Sequence, residues 1–451
     1  MPEFLRNSDA FVWSIERDPR LRSTIVSLIL LDRSPDWSEV GRRFETLTRV
    51  VPKFSQRLAS SPFPLPPRWE NDPDFDLSFH LRRVAAPHDG DLDAVLEMVR
   101  VAAMADFDRA RPLWEATLVD GMADGSAALL CKLHHSLTDG IGAVEMSRIL
   151  FDLGEGQRDG QRDTAETPMS AGPIAVVRDA AVIGAKAAVS ALTPLPRMLR
   201  DAVTNPVATV TDAVSTAGSV YRTMRPIAQP GSPIARHRTG IRRVGVIEVP
   251  MSTLHRAGSA AGGTLNDAFI AAVAAGLSRY HGKRGVKADH FVVCMPISIR
   301  TAQDPIGGNR ATLMRFDVPA GDVDPAERIR RIHRQTTQAR SEKSLAHTPF
   351  IAGVLNAMPR GYVSSVLRSV DFVASDVPGF SEPLRLAGAE VKLPIAFSPT
   401  IGAALNATLL SYVDTCAVGI NVDTGAFPDF DVLSDCLNAG FREVLTLAAD
   451  A

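Results

Sequence analysis

At 451 residues the chain is too long for one ordinary domain, and its 45% hydrophobic and 22% charged residues are the balance of a globular protein with sizeable cores. A net charge of −2 gives no electrostatic reason to expect a nucleic-acid partner. The four cysteines (Cys131, Cys294, Cys416, Cys436) form no CxxC pair, so reduced core cysteines of a cytosolic protein are expected rather than a disulfide framework or a thiolate metal site.

The N-terminus carries Glu3 and Arg6 and then Ser8-Asp9, without the apolar stretch of a signal peptide. No uncharged apolar run reaches the roughly 18–20 residues of a membrane span. Residues 24–31 (TIVSLILL) read as a strand, and Trp37, Val40, Phe44, Leu47 and Val51 recur at helical spacing until Pro52 stops them. The four prolines of residues 62–67 require an extended loop, and Leu92, Val95, Leu96 and Val99 mark a second helix. Pro112-Leu113-Trp114 opens a strand running to Val119. After the turn signals Asp120-Gly121 and Asp124-Gly125, a second strand runs from Ala127 into His134-His135, so the two read as a hairpin. Met146, Ile149, Leu150 and Leu153 then recur with helical period.

Residues 154–172 are polar and aperiodic, a mobile linker by composition. Residues 173–226 are rich in alanine, valine and isoleucine. They read as helices broken at Thr193-Pro194-Leu195-Pro196 and Asn205-Pro206, which either dock on the body or lie on a membrane surface. The second half repeats the style of the first. A strand at 244–249 is followed by a helix opened at Asn266-Asp267, a strand 291–295 ending at Pro296, a strand 311–318, a charged helix 325–340, and a strand 370–374 leading into Ser375-Asp376. A hairpin around Asp414 and a closing helix from Asp431 complete it. Each half therefore mixes helices with largely antiparallel strands. The expected architecture is two similar α/β units, residues 1–153 and 241–451, joined by a connector, 154–240, that is mobile and then helical.

The stretch richest in chemistry is His134-His135-Ser136-Leu137-Thr138-Asp139-Gly140, at the end of the 127–133 strand. Successive strand side chains point to opposite faces, so His135 shares a face with Leu133, Cys131 and Leu129, while His134 shares the other with Lys132. The two imidazoles cannot serve one metal or one reacting atom. His135, on the apolar face, is the one expected to be desolvated and to meet a substrate. A neutral imidazole suits general-base work, although a histidine with an aspartate four residues on is also a common structural pair. No GxSxG or cysteine signature supplies a nucleophile of the protein's own.

Several motifs together resemble the bacterial wax ester synthase/diacylglycerol acyltransferase family along nearly the whole chain. They are Asp9-Ala10-Phe11 with Glu16, the Pro52–Leu58 stretch, Pro112-Leu113-Trp114, the HHxxxDG heptad 134–140, Asn266-Asp267, Pro296-Ile297-Ser298-Ile299-Arg300 and Gly308-Asn309-Arg310. The resemblance implies two chloramphenicol-acetyltransferase-like domains with a tunnel between them. It implies an acyl-CoA-dependent O-acyltransferase esterifying diacylglycerol or a long-chain alcohol, with His135 as general base, His134 in support and no metal or bound cofactor. It further implies that Asp139 is an anchor paired with Arg300 and that Asn266, Asn309 and Trp114 shape the site, while glycine's backbone freedom suits Gly140 to a tight exit of the chain after Asp139. Asn266 could equally be a helix N-cap, and Trp114 a core residue. Long-chain acyl-CoA and a lipid alcohol are the expected partners, in the cytoplasm or peripherally at the inner membrane face or lipid inclusions. The chain departs from the family at Arg22-Ser23-Thr24-Ile25, at Ser375-Asp376-Val377-Pro378-Gly379-Phe380 and at Ser232-Pro233-Ile234. These departures leave the acceptor open: another hydroxyl or an amine could take the acyl group, and a non-catalytic lipid or membrane binder would keep the same fold.

Overall fold

The β-branched and aromatic runs become strands. A computed structural model describes residues 3–16, 18–61, 65–152, 230–298, 311–341 and 370–449. Its first half holds β1 (Glu3–Phe4), β2 (Thr24–Leu31), β3 (Gln56–Ala59), β4 (Arg68–Asn71), β5 (Leu81–Ala85), β6 (Trp114–Asp120) and β7 (Ala127–His134). The second half holds β8 (Arg242–Pro250), β9 (His290–Ser298), β10 (Ala311–Pro319), β11 (Phe372–Phe380), β12 (Arg385–Leu386), β13 (Ala389–Phe397), β14 (Leu405–Tyr412) and β15 (Thr415–Asp423). The helices are α1 (Asn7–Ile15), α2 (Trp37–Val50), α3 (Leu77–His80), α4 (Leu92–Met104), α5 (Gly140–Ser147), α6 (Met251–Ala260), α7 (Leu265–Lys283), α8 (Pro325–Arg340) and α9 (Phe430–Leu445). Side chains of Asp36, Asp91, Asp139, Thr264 and Asp324 accept backbone N–H groups at the starts of α2, α4, α5, α7 and α8, satisfying donors that the helix leaves orphaned.

Two six-stranded sheets organise the described residues, in the orders β12-β13-β2-β7-β6-β5 and β10-β9-β11-β14-β15-β8. Both expected hairpins form, β6 with β7 and β14 with β15. Helix α2 buries Val40, Phe44 and Leu47 against the first sheet, and α7 is buried along nearly its whole length against the second. This is the mixed α/β architecture that the element pattern predicts.

The division at residues 153 and 241 does not separate the sheets cleanly. Strand β13, from the C-terminal part, lies antiparallel to β2, with Phe397 opposite Val26 and Leu393 opposite Leu30. It occupies an edge of β2 that would otherwise expose unpaired N–H and C=O groups. Local periodicity reveals that a strand exists but not which sheet it joins. The sheets also touch directly: a Cβ on Gly419 of β15 would lie 2.1 Å from the Ala396 carbonyl oxygen of β13, so only glycine fits there. At the other end of the connector, Ser232 N–H donates to Asp371 and Ala235 enters the second core. The expected linker and the 173–226 helices lie outside the described residues.

Three boundaries also differ from expectation. Strand β9 does not stop at Pro296 but runs to Ser298, paired with β10 throughout. It pairs with β11 only at Val293 and Cys294, so the missing N–H of Pro296 falls on an open edge. Strand β11 continues through Ser375-Asp376 to Phe380 with an irregularity after Val377. Helix α5 ends at Ser147, and Ile149 and Leu150 are held by shorter-range turn bonds beyond it. Among the described residues no single helix is long and apolar enough to cross a membrane.

Candidate active site

The heptad begins where β7 ends. The backbone N–H of His135 still donates to Ser23 O at 3.0 Å, extending the ladder beside β2 by one step, so the alternation of faces carries through both histidines. His134 is fully buried. Its Nδ1 accepts the Ser136 backbone N–H at 3.0 Å and lies 2.7 Å from Ser136 Oγ. An imidazole nitrogen that accepts from a backbone N–H carries no proton, so the ring proton is on Nε2. That atom lies 2.8 Å from Glu16 Oε2. Trp13 and Phe107 meet the ring edge-on. Burial pushes the Glu16 carboxyl up, but the His134 contact, the Ser23 N–H at 2.7 Å and the Arg109 charge outweigh it and hold it below its ordinary value. His134 thus has no lone pair to offer a substrate, and its support of the strand end is a buried polar network.

His135 is half-buried on the opposite face. It lines a cavity of about 440 Å³ together with Cys131 and Leu133 of β7. Burial holds its imidazole below the ordinary histidine value, and the charge of Asp139 offsets part of this. Nδ1 is buried without a hydrogen-bond partner. The result is a neutral imidazole facing a mostly apolar cavity, which is what the strand parity predicts. Cys131 and Cys294 also line the cavity, and burial pushes both thiols up to about 12, so neither is an activated nucleophile.

Both sheets build the walls. Phe11 and Val12 of α1, Ile25 and Ile29 of β2, and His135 come from the first. Cys294 of β9 and Val373 of β11 form the last pair of those strands, and Pro296 and Ser298 of β9 and Ser375 and Val377 of β11 line the cavity beyond it, in the gap where the strands part. That gap is the structural consequence of the short β9–β11 pairing. It lets the cavity enter the second sheet.

Asp139 is the N-cap of α5, accepting the Gly142 N–H at 2.8 Å, and it also lines the cavity. Arg300, its expected partner, and Asn309 lie outside the described residues. Gly140 does not have the positive φ that a tight exit would use. Its reason is close approach: a Cβ there would lie 2.8 Å from Val377 Cγ2 on β11, so the heptad and the second sheet meet at this residue. Trp114 is both core and wall. It is 1% exposed, donates its indole N–H to Phe54 O at 2.8 Å, stacks between Phe44 and His80, and lines the cavity. Asn266 is not the N-cap of its helix. Thr264 is, in a capping box with Asp267. Asn266 is buried beside Met295 instead, with Nδ2 3.4 Å from its sulfur, and is not among the cavity-lining residues.

Sequence reasoning placed Glu16 only within a motif. Its partnership with His134 spans 118 positions of sequence and carries no local signal. Asp9, on α1, was likewise only a motif residue. It is buried, and burial pushes its carboxyl up to about 7, with Lys53 and Arg6 pulling it down and Asp139 pushing it further up. Among the described residues no three His, Cys, Asp or Glu side chains converge as a metal site.

Comparison with known proteins gives a consistent result. Residues 5–269 match the wax ester synthase/diacylglycerol acyltransferase catalytic domain, and residues 307–444 match the C-terminal domain of the same family. A putative diacylglycerol O-acyltransferase of Mycobacterium tuberculosis is 35% identical over 443 residues, covering 96% of this chain and 90% of its own. Among solved structures, the wax ester synthase/diacylglycerol acyltransferase from Marinobacter aquaeolei VT8 superposes with a TM-score of 0.66 at 21% identity, covering 99% of this chain and all of that one. The starter condensation domain of rhizomide synthetase, solved in complex with C8-CoA and Leu-SNAC, does so with a TM-score of 0.63 at 15% identity, covering 100% and 95%.

Proposed function

This chain belongs to the wax ester synthase/diacylglycerol acyltransferase family and is an acyltransferase, and from that premise we propose that it esterifies diacylglycerol or a long-chain alcohol with a long-chain acyl group from acyl-CoA. The observation that carries the reading is His135, a neutral imidazole on the wall of an apolar cavity closed by both sheets. In the proposed step its lone pair takes the proton of the acceptor hydroxyl. The oxygen attacks the thioester carbonyl, the C–S bond breaks, and the imidazolium returns the proton to the departing CoA sulfur. Such a base contributes about 10²–10⁴-fold in rate. The inert state of Cys131 and Cys294 favours this direct transfer over an acyl-cysteine intermediate. The apolar lining suits hydrocarbon chains, and the reaction calls for no metal or bound cofactor. Its lipid acceptor makes the cytoplasmic membrane face or a lipid inclusion the natural place of work.

A second reading, acylation of an amine or of a more polar hydroxyl, is favoured by one residue. Asp376 lines the cavity, and burial pushes its carboxyl up to about 6, with Arg340 pulling it down. A carboxylate there would attract an ammonium or a second hydroxyl. Labelled palmitoyl-CoA offered with diacylglycerol, hexadecanol, short alcohols and primary amines separates the two readings. Label should enter the ester of diacylglycerol or hexadecanol, and incorporation only into an amine would reject the ester reading. Loss of label transfer in His135→Ala, with the fold intact, separates both from a non-catalytic lipid binder.

A further inference from the structure

A second cavity, of about 50 Å³, opens on the same seam between the halves. Arg22 and Thr24 wall it from the first half, and Arg242, Thr400 and Asn421 from the second. Pro399 lines both this cavity and the large one, so the two are one residue apart. Four polar atoms of its walls are buried without a hydrogen-bond partner: Arg22 Nε, Arg242 Nη1, Thr400 Oγ1 and Asn421 Oδ1.

Their neighbours compensate the two arginine charges in part but give these four atoms no hydrogen bond. Arg22 Nε lies 2.9 Å from the exposed Asp106 carboxylate, but not in hydrogen-bonding alignment. Arg242 Nη1 is 3.8 Å from Asp423 Oδ2, too far for a hydrogen bond. The Asp423 carboxylate is already occupied by the N–H groups of Thr239, Gly240 and Gly425. Burial holds the Arg242 guanidinium below its ordinary value, with Asp423 offsetting only part. Asn421 has its orientation fixed, because Nδ2 donates to Ser398 O at 3.2 Å and leaves Oδ1 as the free end.

Each buried polar group left alone costs about 1–3 kcal/mol, so an occupant is required. The cavity has room for about three to five waters. Water, however, donates as readily as it accepts. These walls offer two guanidinium N–H donors and a hydroxyl that can donate or accept, against one amide acceptor. Hydrogen phosphate, or a phosphate monoester in its monoanionic form, has the inverse inventory: several acceptor oxygens and one P–OH. We propose that this seam cavity is a phosphate site, with Arg22, Arg242 and Thr400 donating to the phosphoryl oxygens and Asn421 Oδ1 accepting from the P–OH. Free inorganic phosphate and the 3′-phosphate of acyl-CoA share this chemistry. The second source rests on the acyltransferase reading and the first does not.

Titration of the full chain with inorganic phosphate and with sulfate, followed by calorimetry and thermal unfolding, tests the site without any turnover. Sulfate has no O–H for Asn421 at neutral pH, so phosphate should bind at least about tenfold more tightly. Thr400→Val keeps the shape and removes one donor. It should weaken phosphate about tenfold, while the melting temperature in phosphate-free buffer holds or rises, because an unpaired buried hydroxyl has gone. Arg22→Gln, at a partly exposed position, should weaken phosphate by at least as much. Activity assays then identify the source. A KM rise in Thr400→Val for acyl-CoA but not for its 3′-dephospho analogue assigns the CoA phosphate, and an unchanged KM assigns free phosphate. No phosphate binding at millimolar concentration, or equal phosphate and sulfate binding insensitive to both substitutions, overturns the proposal and leaves the cavity to water.

Discussion

The two faces of β7 end in the same side chain and put it to opposite uses. On one face the fold consumes the imidazole: Ser136 holds Nδ1 of His134, Glu16 faces Nε2, and two aromatic rings close around it. On the other face the fold leaves the imidazole of His135 open to a cavity, desolvated and with Nδ1 unpartnered. The difference is one step of strand pleat. A buried polar network on one side fixes the strand end from which His135 faces the cavity on the other.

The largest effect expected from breaking this contrast is in turnover. His135→Gln should lower kcat by about 10²–10⁴ with little change in unfolding free energy. His134→Gln should do the reverse, costing stability first. Equal losses of kcat per folded molecule in both variants would erase the distinction. Next comes Glu16→Gln, which leaves the His134 N–H facing an amide in a buried site. Removing the charge from a buried hydrogen bond of this kind costs about 1.5–3 kcal/mol, read as a shift in urea midpoint at unchanged slope. An unaltered midpoint would show that the network does not hold the strand end.

Gly140→Ala is expected to be smaller, about 1–2 kcal/mol of overpacking against Val377. Val377→Ala in the same molecule should recover most of it. A double-mutant cycle with no coupling would mean that the heptad and β11 do not press together as described. The smallest effect is in pH dependence. Protonated imidazole cannot act as a base, so kcat/KM should fall as pH drops. Burial places this acid limb below the ordinary histidine value of about 6.5. The Asp139 charge raises His135 against burial, so Asp139→Asn, which can still cap α5, should move the limb lower still. A limb that moves upward in that variant contradicts this assignment.

Much of the cavity-facing side of β7 was legible because it is local. Alternation along 127–135 fixes which histidine faces which side, whereas the capping of α5 by Asp139 was not read from the sequence, in which that residue figures only as an anchor. What was illegible is long-range. Glu16 meets His134 from the C-terminal cap of α1, whose path nothing in either segment encodes. Gly140 looked like a turn glycine, and only the approach of Val377, from more than two hundred residues away, supplies the real reason. Pro296 read as a strand end because proline cannot donate to a ladder, and the open edge of β9 removes that objection. Strand β13 crossing to the first sheet, and the seam cavity that Arg22 and Asn421 share, depend on how the halves come together.

The central claim is that His135 alone supplies the base from inside the large cavity. Turnover of His135→Gly, measured with and without added imidazole, addresses it most directly. The account predicts a loss of at least about 10² in kcat, partly restored by imidazole entering the vacated space, with no comparable rescue of His134→Gly. Wild-type turnover in His135→Gly, or rescue confined to His134→Gly, would contradict it.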